Sequence, residues 1–285
     1  MSGGRWFLLP ALLATLLLAI VPLLVTLGLA LFEFDALSPP RWVGLEHFKS
    51  LAADPMFRQA LHNSLLLVAV AVPLRLVLAL VLGLLLARTD RWSRLGLPPT
   101  LLPTLLPELV WAMAWLWILN PWYGPAAWVL DATHPQGAEW ILSATGARTA
   151  IVCVLALLIG EMVLILRAAR RLIPDRHYEI CAVEGASAWH GFRRVTWPQL
   201  APLFGLLALR DVALCLQLSF VPALIVTKTG PQFSTLYLPY YTWQNAFEYL
   251  RFGYAAASGS LLVLWVLLAL GLQLLLLRRW QAGHG

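Results

Sequence analysis

The stretch IPDRHYEICAVEGASAWHGFRRVTWPQLAP, residues Ile173–Pro202, is charged and contains turn residues, although most of the chain around it is apolar. The 285 residues are 60% hydrophobic and only 12% charged, with a mean hydropathy of +0.77. A soluble domain carries about 25% charged residues. The composition therefore indicates a polytopic membrane protein, and it marks this stretch as a segment that faces water.

Six apolar segments of the chain are long enough to cross a bilayer, which takes about 20 residues in a helix. They lie at about residues 6–32, 64–87, 100–119, 149–166, 202–226 and 255–277. We therefore predict an all-α polytopic membrane protein with six transmembrane helices, in which a single transmembrane domain covers residues 1–285. A water-exposed loop of residues 173–201, called here the 173–201 loop, connects the fourth helix to the fifth.

The distribution of basic residues predicts the orientation of the chain in the membrane. Of the twenty Lys and Arg residues, twelve fall in segments on the side of the N-terminus, six fall on the opposite side, and Arg75 and Arg210 fall within spans. Cytoplasmic segments carry an excess of Lys and Arg. We therefore expect a multi-pass protein of the plasma membrane, the inner membrane of the cell, with both termini and the 173–201 loop in the cytoplasm.

Local sequence signals predict two helices within the 173–201 loop. Pro174 suits the first turn of a helix that continues to Val183. Gly185 can adopt the left-handed conformation that ends a helix. Ser187 is a favourable N-cap for a second, short helix, and Pro198 is expected to end that helix.

Two interpretations of this helix–turn–helix segment remain open from the pattern alone. A basic amphipathic segment can lie on the membrane surface. Alternatively it docks a partner protein, because the small residues Ala182, Gly185 and Ala186 allow close approach. In that case Trp189 and Phe192 provide apolar anchors of the kind that dominate protein interfaces.

The segment YEICAVEGASAWHGFRRVTWPQLAP resembles the EAA loop of binding-protein-dependent ABC importer permeases. Gly185 and Ala186 match its signature, Glu184 replaces an aspartate, and Trp197–Pro198 stands for Leu-Pro. In that family the loop forms a coupling helix that sits in a cleft of the ATPase subunit. The resemblance implies an ATPase-coupling role for Glu179, Ala182, Glu184, Gly185, Ala186, Trp189, Phe192 and Pro198.

A second segment, SFVPALIVTKTGPQFSTLYLPYYTWQNAFEYLRFGYAAASGSLL at residues 219–262, resembles the carbohydrate-uptake branch of these permeases. Its spacing is similar to that of the first of two paired permeases, as in maltose-type and glycerol-phosphate-type systems. The resemblance implies a permease subunit that translocates a sugar or sugar-like solute. The implied partners are a second permease subunit, ATPase subunits, an extracytoplasmic solute-binding protein, the sugar and membrane lipid, without nucleic acid.

The chain lacks the residues that ATP hydrolysis requires. A phosphate-binding loop reads G-x-x-x-x-G-K-[ST], and the two lysines, Lys49 and Lys228, do not follow a glycine. We therefore expect a non-catalytic subunit without a cofactor, whose motor is another chain. The scattered cysteines suggest no metal site, and the H-E-x-x-H motif of a metalloprotease is absent. A self-sufficient secondary transporter remains the alternative function.

Five charged residues fall at the apparent depth of the membrane, where an ionised side chain should face an interior or a cavity. They are Arg75, Glu108, Glu161, Arg210 and Asp211. One hypothesis is that Arg75 pairs with Glu108 or Glu161 and holds helices together. A second is that the charges line the translocation path, and a third is that Arg210 and Asp211 lie nearer the cytoplasmic interface.

Four further residues are candidates for the substrate path. Gln217 and Ser219 can hydrogen-bond sugar hydroxyls, and Trp111 and Trp115, four residues apart on one helix face, can stack on a sugar ring. Ordinary hydrogen bonds between helices and packing against lipid or core are the alternative roles of these side chains.

Overall fold

The computed structural model describes residues 4–88, 90–133 and 137–282. Within these ranges the regular secondary structure is helical apart from one pair of two-residue strands, which agrees with the all-α class expected from the sequence. The chain divides into two compact units. One is formed by Met1–Gln59 with Leu238–Leu267, and the other by Ala60–Tyr237 with Leu268–Gly285.

The first unit begins with an apolar helical segment. Helix α1 (Gly4–Thr15), a π-helical turn (Leu16–Ile20) and helix α2 (Val21–Leu29) follow one another without a break. The part Leu9–Leu29 has a mean hydropathy of 2.6 and none of its apolar window is buried by the described chain. A helix that is apolar on all sides is suited to lipid, so this segment has the properties of a membrane span.

A small strand pair and a short helix follow this span. Strands β1 (Phe32–Glu33) and β2 (Arg41–Trp42) are antiparallel. Asp35 fixes the turn between them, because its carboxylate accepts hydrogen bonds from the backbone N–H of Ser38 at 2.8 Å and from its hydroxyl. Helix α3 (Glu46–Ala53) is short and amphipathic.

Asp54 links the elements of the first unit through its carboxylate. The hydroxyls of Tyr241 and Tyr254 both donate to Oδ2, at 2.5 and 3.0 Å, and the N–H of Met56 donates to Oδ1 at 2.8 Å. Partial burial raises the pKa of Asp54, but these hydrogen bonds outweigh burial and hold the pKa below its ordinary value of 3.8. Asp54 therefore connects the end of α3 to the later helices that contain Tyr241 and Tyr254, in the same unit.

The later part of the first unit returns to the strand pair. Helix α14 (Leu238–Trp243) and a π-helical turn (Gln244–Glu248) precede the last helix, which runs from Phe252 to Ala282. A Cβ atom on Gly253 would lie 2.0 Å from the carbonyl oxygen of Phe32. A glycine is required here because the two backbones approach so closely.

The second unit contains the helices between residues 60 and 237. They are α4 (Pro55–Leu85, which starts in the first unit), α5 (Arg91–Leu105), α6 (Glu108–Ile118), α7 (Pro125–Thr133), α8 (Ala144–Ala156), α9 (Gly160–Arg171), α10 (Arg176–Val183), α11 (Ala188–Gly191), α12 (Trp197–Leu218) and α13 (Phe220–Pro222). The final helix, Phe252–Ala282, is α15. Some of these helices are connected by short segments of other helical types. They are the 3₁₀ segments Gly137–Leu142 and Pro231–Phe233 and the π-helical turns Phe192–Thr196 and Ala223–Thr227.

Two pairs of helices in the second unit are bent at short breaks. Helices α5 and α6 meet at 105°, and α8 and α9 meet at 45°. Leu106 is extended, with φ −80° and ψ 144°, because the residue before a proline, here Pro107, is disfavoured in the helical region. The predicted third span is therefore two helices rather than one.

Among the residues that the structure describes, three helices are long and apolar enough to cross a membrane, or up to five if each bent pair is one span. The three continuous segments are Leu9–Leu29, Pro55–Leu85 and Ala188–Thr227. The sixth predicted span corresponds to α15, whose described apolar part, Phe252–Leu268, is shorter. The structure therefore agrees with a helical membrane protein that has several apolar helices, and the number of six spans stays a prediction.

The clearest difference concerns Pro198. The sequence predicts that Pro198 ends a short helix and that the next span starts at Pro202, yet one helical segment runs from Ala188 to Thr227. The π-helical turn Phe192–Thr196 widens the helix directly before Pro198. The wider π-helical turn leaves room between the backbone carbonyls for the ring of Pro198, so the helix continues past this residue.

Candidate functional site

A left-handed glycine closes the first helix of the 173–201 loop. Helix α10 ends at Val183, and Gly185 has φ +71°. The N–H of Ala186 donates to the carbonyl of Cys181 at 2.8 Å, and the N–H of Gly185 donates to that of Ala182 at 3.0 Å. These two bonds form a Schellman motif. The helix and the glycine stop predicted from the sequence are both confirmed.

The second helix of the loop starts where the sequence predicts. The Ser187 hydroxyl accepts a hydrogen bond from the N–H of His190, as an N-cap does. The rings of Trp189 and Phe192 are stacked with centroids 5.3 Å apart. The two aromatic residues therefore form one apolar surface beside the glycine turn.

Tyr178 holds the loop against the helices on either side of it. Its ring packs under the guanidinium of Arg170, 4.0 Å away, at the end of α9. Its hydroxyl makes a 2.8 Å hydrogen bond with the hydroxyl of Thr196, which is buried. Sequence reasoning missed Tyr178, although an aromatic residue inside a water-facing helix was the available signal.

Six of the eight predicted coupling residues are exposed, and Ala186 and Phe192 are half-buried. The exposed ones are Glu179, Ala182, Glu184, Gly185, Trp189 and Pro198. Large apolar side chains between them are also uncovered, since Val183 is 90% and Trp189 is 68% exposed. A cluster of this kind on a charged loop is typical of a protein-binding surface.

Two arginines just before the 173–201 loop bind the backbone that follows α4 in the second unit. Arg167 donates from Nε to the carbonyl of Leu86 at 2.8 Å, and Arg171 donates to those of Ala87 and Arg88 at 3.0 and 3.2 Å. These carbonyls follow the C-terminus of α4, where a helix leaves unpaired acceptors and favours positive charge. The loop therefore lies at the end of the second unit where α4 ends.

A second candidate site lies where helices α8 and α9 break. At the break the guanidinium of Arg75 donates to the carbonyls of Leu155 and Leu158, both at 3.0 Å. The carbonyl of Leu155 also accepts from the N–H of Leu158, whereas that of Leu158 has no backbone donor among the described residues. Within a membrane such freed groups must be satisfied by other protein groups. Arg75 thus stabilises the break from the neighbouring helix α4.

The counter-ion of Arg75 is Asp211 on α12, at 3.0 Å, with side chains that are 2% and 1% exposed. The predicted pairing of Arg75 with Glu108 or Glu161 is therefore wrong. Glu161 instead pairs with Arg210, and both of these side chains are exposed. The partner depends on how α12 is rotated against α4, which the sequence pattern does not report.

All five membrane-depth charges line one cavity of about 220 Å³ in the second unit. Oε1 of Glu108 is buried there and has no hydrogen-bond partner among the residues that the structure describes. Glu161 lies ten residues before Arg171 on α9, which corresponds to about 15 Å along a helix, or half of the hydrocarbon thickness. This depth favours a cavity near the middle of the membrane over a position at the cytoplasmic interface.

The four predicted substrate-path residues do not line this cavity. Trp111 and Trp115 contact each other edge to face at 5.9 Å, and Nε1 of Trp111 donates to the carbonyl of Val154 at 3.0 Å. Ser219 is fully buried and its hydroxyl donates to the carbonyl of Leu216, whereas Gln217 is exposed. The structure brings the tryptophans together but does not gather all four residues at one place.

The described part of the chain holds no group of three or more His, Cys, Asp or Glu side chains that could bind a metal ion. The cysteines Cys153, Cys181 and Cys215 are free thiols.

Comparisons with known proteins give one consistent result. A family model described as "Binding-protein-dependent transport system inner membrane component" matches residues 79–282. The Diacetylchitobiose uptake system permease protein DasB of Streptomyces coelicolor is 31% identical over 284 residues, which cover 95% of this chain and 84% of that protein. The Probable ABC transporter permease protein YesP of Bacillus subtilis is 28% identical over 276 residues, which cover 94% of this chain and 86% of that protein.

The fold is also similar to that of a solved structure. A chain in the crystal structure of a bacterial ABC transporter involved in the import of the acidic polysaccharide alginate superimposes with a TM-score of 0.81 at 20% sequence identity. The superposition covers 96% of this chain and 94% of the other. The arrangement of helices is therefore one that a membrane transporter uses.

Proposed function

Because this chain belongs to the family of inner membrane components of binding-protein-dependent transport systems, we propose that it is the permease subunit of an ATP-driven importer. It translocates a sugar or sugar-like solute that an extracytoplasmic binding protein delivers. The carbohydrate assignment is supported by the sequence of residues 219–262 and by DasB, a relative named for the uptake of diacetylchitobiose. In this proposal the chain resides in the plasma membrane.

In the proposed assembly the chain spans the membrane six times, with both termini in the cytoplasm, as one transmembrane domain. The ends of the chain, residues 1–3 and 283–285, lie outside the described residues. The six proposed spans are the segments Leu9–Leu29, Pro55–Leu85 and Ala188–Thr227, the two bent helix pairs, and α15. The basic residues on the side of the 173–201 loop support its cytoplasmic position.

The observation that carries the proposal is the glycine turn of the 173–201 loop. It presents Val183 and Trp189 to solvent, and Tyr178 ties it to the helices on both sides. We assign this surface to an ATPase subunit, because the chain itself lacks a phosphate-binding loop. A second permease subunit completes the membrane part of the proposed importer.

The solute path in this proposal passes the cavity that the five charges line. Glu161 and Arg210 are exposed near the middle of the membrane, where contact of charges with lipid costs about 2.5–3.5 kcal/mol per residue. A water-filled path beside them removes that cost. Trp111, Trp115, Gln217 and Ser219 remain candidates for contact with the solute along the same path.

Substitution of Gly185 tests the coupling role directly. No atom lies within 4 Å of a Cβ built on Gly185, so a side chain there meets no internal clash, but its φ of +71° disfavours any β-branched residue. Gly185→Val should cost about 1–2 kcal/mol in the turn, which corresponds to a roughly fivefold to thirtyfold weaker association with the ATPase. Transport should fall with it, while the amount of chain in the membrane stays unchanged.

Gly185→Asn is the matched control, because asparagine tolerates the left-handed conformation. It should retain most of the ATPase association measured by co-purification and most of the solute uptake by cells. Full uptake with Gly185→Val would contradict the proposed role of the loop.

A further inference from the structure

A second cavity of the second unit, of about 300 Å³, differs in character from the one that the charges line. Its walls come from α4, α8 and the segment after the 3₁₀ turn Pro231–Phe233. Helix α4 contributes Asn63, Leu66, Leu67 and Val70, and α8 contributes Thr145, Arg148, Thr149 and Val152. Each set has the spacing i, i+3, i+4, i+7, so each forms one face of its helix.

Both faces change from polar to apolar in the same direction. On α4 the polar Asn63 comes first and the apolar Leu66 and Val70 follow, and on α8 the polar Thr145 and Arg148 precede Val152. Helix α4 and the pair α8–α9 run in the same direction, because Arg75 contacts Leu155 and the later Leu86 contacts the later Arg167. The polar ends of the two walls therefore coincide, and so do their apolar ends. This polarity matches a molecule with a polar head and an apolar tail.

The polar end of the cavity lies at the membrane surface opposite to the 173–201 loop. Leu66 is twenty residues before Leu86 in the chain, and Leu86 accepts the hydrogen bond from Arg167 at the level of that loop. Twenty helical residues span about 30 Å, which is the thickness of the hydrocarbon core. Leu66 is 38% and Val70 is 47% exposed, so the apolar wall is open on the side of α4.

The charge of the cavity favours an anion. Arg148 is the one charged residue that lines it, and no acidic side chain in the described ranges forms an ion pair with Arg148. Its Nε donates to the carbonyl of Ser234 at 3.2 Å, which fixes the guanidinium at the polar end. Ser234 also lines the cavity and is 2% exposed, and its hydroxyl has no hydrogen-bond partner among the described residues.

We propose that this cavity binds an anionic phospholipid, with the phosphate on Arg148 and an acyl chain along Leu66, Val70 and Val152. The N-terminus of α8, which begins at Ala144, adds a positive dipole end at the same level. No carboxylate of the described residues lines the cavity, so the ammonium group of an ethanolamine lipid finds no counter-ion there. Phosphatidylglycerol is therefore preferred over phosphatidylethanolamine.

Titration of the purified full chain in detergent with each lipid, followed by native mass spectrometry, tests this site. Phosphatidylglycerol should bind in preference to phosphatidylethanolamine, and Arg148→Gln should weaken its binding by about fivefold, the equivalent of about 1 kcal/mol per surface cation. Arg148→Lys should retain the binding. The control Arg58→Gln removes an exposed arginine outside the cavity and should change nothing.

Val70→Trp provides a variant that keeps the charge and fills the apolar wall. Because Val70 is partly exposed, the chain should fold, yet phosphatidylglycerol should bind less tightly. Equal binding by wild type, Arg148→Gln and Val70→Trp would overturn the proposal. Displacement of the lipid by inorganic phosphate at equal concentration would also overturn the proposal, because it indicates a site for free anions. Exclusion of the lipid from the assembled importer would overturn it as well, because it indicates that the cavity lies in a subunit interface.

Discussion

At the scale of single residues, Arg75 makes two kinds of contact with one guanidinium group. It donates to the carbonyls of Leu155 and Leu158 at the break between α8 and α9, and it neutralises Asp211. Lysine has one compact ammonium group in place of the planar fork of arginine, so it does not reproduce this geometry. The helix break and the buried carboxylate therefore depend on the same side chain.

Removal of the negative partner should be strongly destabilising. Asp211→Asn leaves the buried charge of Arg75 without a counter-ion, and loss of one partner from a buried ion pair costs about 3–5 kcal/mol. We expect a marked drop in the thermal unfolding midpoint of the detergent-solubilised chain.

The exposed ion pair of the same cavity supplies the control. Glu161→Gln breaks the contact with Arg210, and we expect a change within about 1 kcal/mol, as for exposed pairs. If the two variants unfold at the same temperature, the structural role assigned to Asp211 is wrong.

The residue scale also marks the limit of what the sequence predicts. The cost of charge in lipid predicted that Arg75, Glu108, Glu161, Arg210 and Asp211 each face an interior or a cavity, and all five line one cavity. Which carboxylate faces Arg75 follows from the rotation of α12 and from the freed carbonyls, neither of which has a sequence signal.

At the scale of elements, the 173–201 loop combines local rules with one long-range contact. Gly185 and Ser187 act within a few residues, so their turn and cap were predictable from the sequence. Tyr178 acts across the loop, on Arg170 and Thr196, and was not predicted. Pro198 was misread because its effect depends on the widened turn before it.

The hydroxyl of Tyr178 should set how firmly the loop is held. Tyr178→Phe keeps the ring beside Arg170 but removes the hydrogen bond to Thr196. A bond of this kind contributes about 1 kcal/mol, so amide hydrogens of α10 should exchange about fivefold faster.

Thr196→Val removes the other partner of this bond. It should produce the same acceleration, and the double variant should be no faster than either single one, since only one interaction is lost. Additive effects would mean that the two hydroxyls act independently.

At the scale of the whole molecule, the composition predicted a helical membrane protein, and the described chain is helical with several apolar segments. The bends between α5 and α6 and between α8 and α9 were not predicted. Pro107 signals the first bend, but no proline lies at the second, where Arg75 stabilises the open carbonyls. Such a bend depends on tertiary contacts.

The carboxylate of Asp54 gives the first unit a pH dependence. Its pKa is lower in the folded chain than its ordinary value of 3.8, so its contribution is complete above that value and is lost as the pH falls through the folded pKa. Asp54→Asn should therefore destabilise the chain by about 1 kcal/mol at pH 7, and the difference from wild type should shrink below about pH 4.

Thermal unfolding of both proteins between pH 7 and pH 3 measures this difference. Tyr254→Phe, which removes one of the two hydroxyl donors, should show a smaller effect with the same pH dependence. A difference that grows on acidification would contradict the assigned role of Asp54.

The uninterrupted helical segment Ala188–Thr227 has a mechanical consequence. Its 40 residues extend over about 60 Å, roughly twice the thickness of the hydrocarbon core. A helix of that length does not shorten, so a force applied at its Ala188 end must tilt or rotate it, and Arg210 near its middle moves as well. Flexure is easiest at the two wide turns near its ends, Phe192–Thr196 and Ala223–Thr227. The stiff helix between these turns therefore links Arg210 and Asp211 to a force applied at the 173–201 loop.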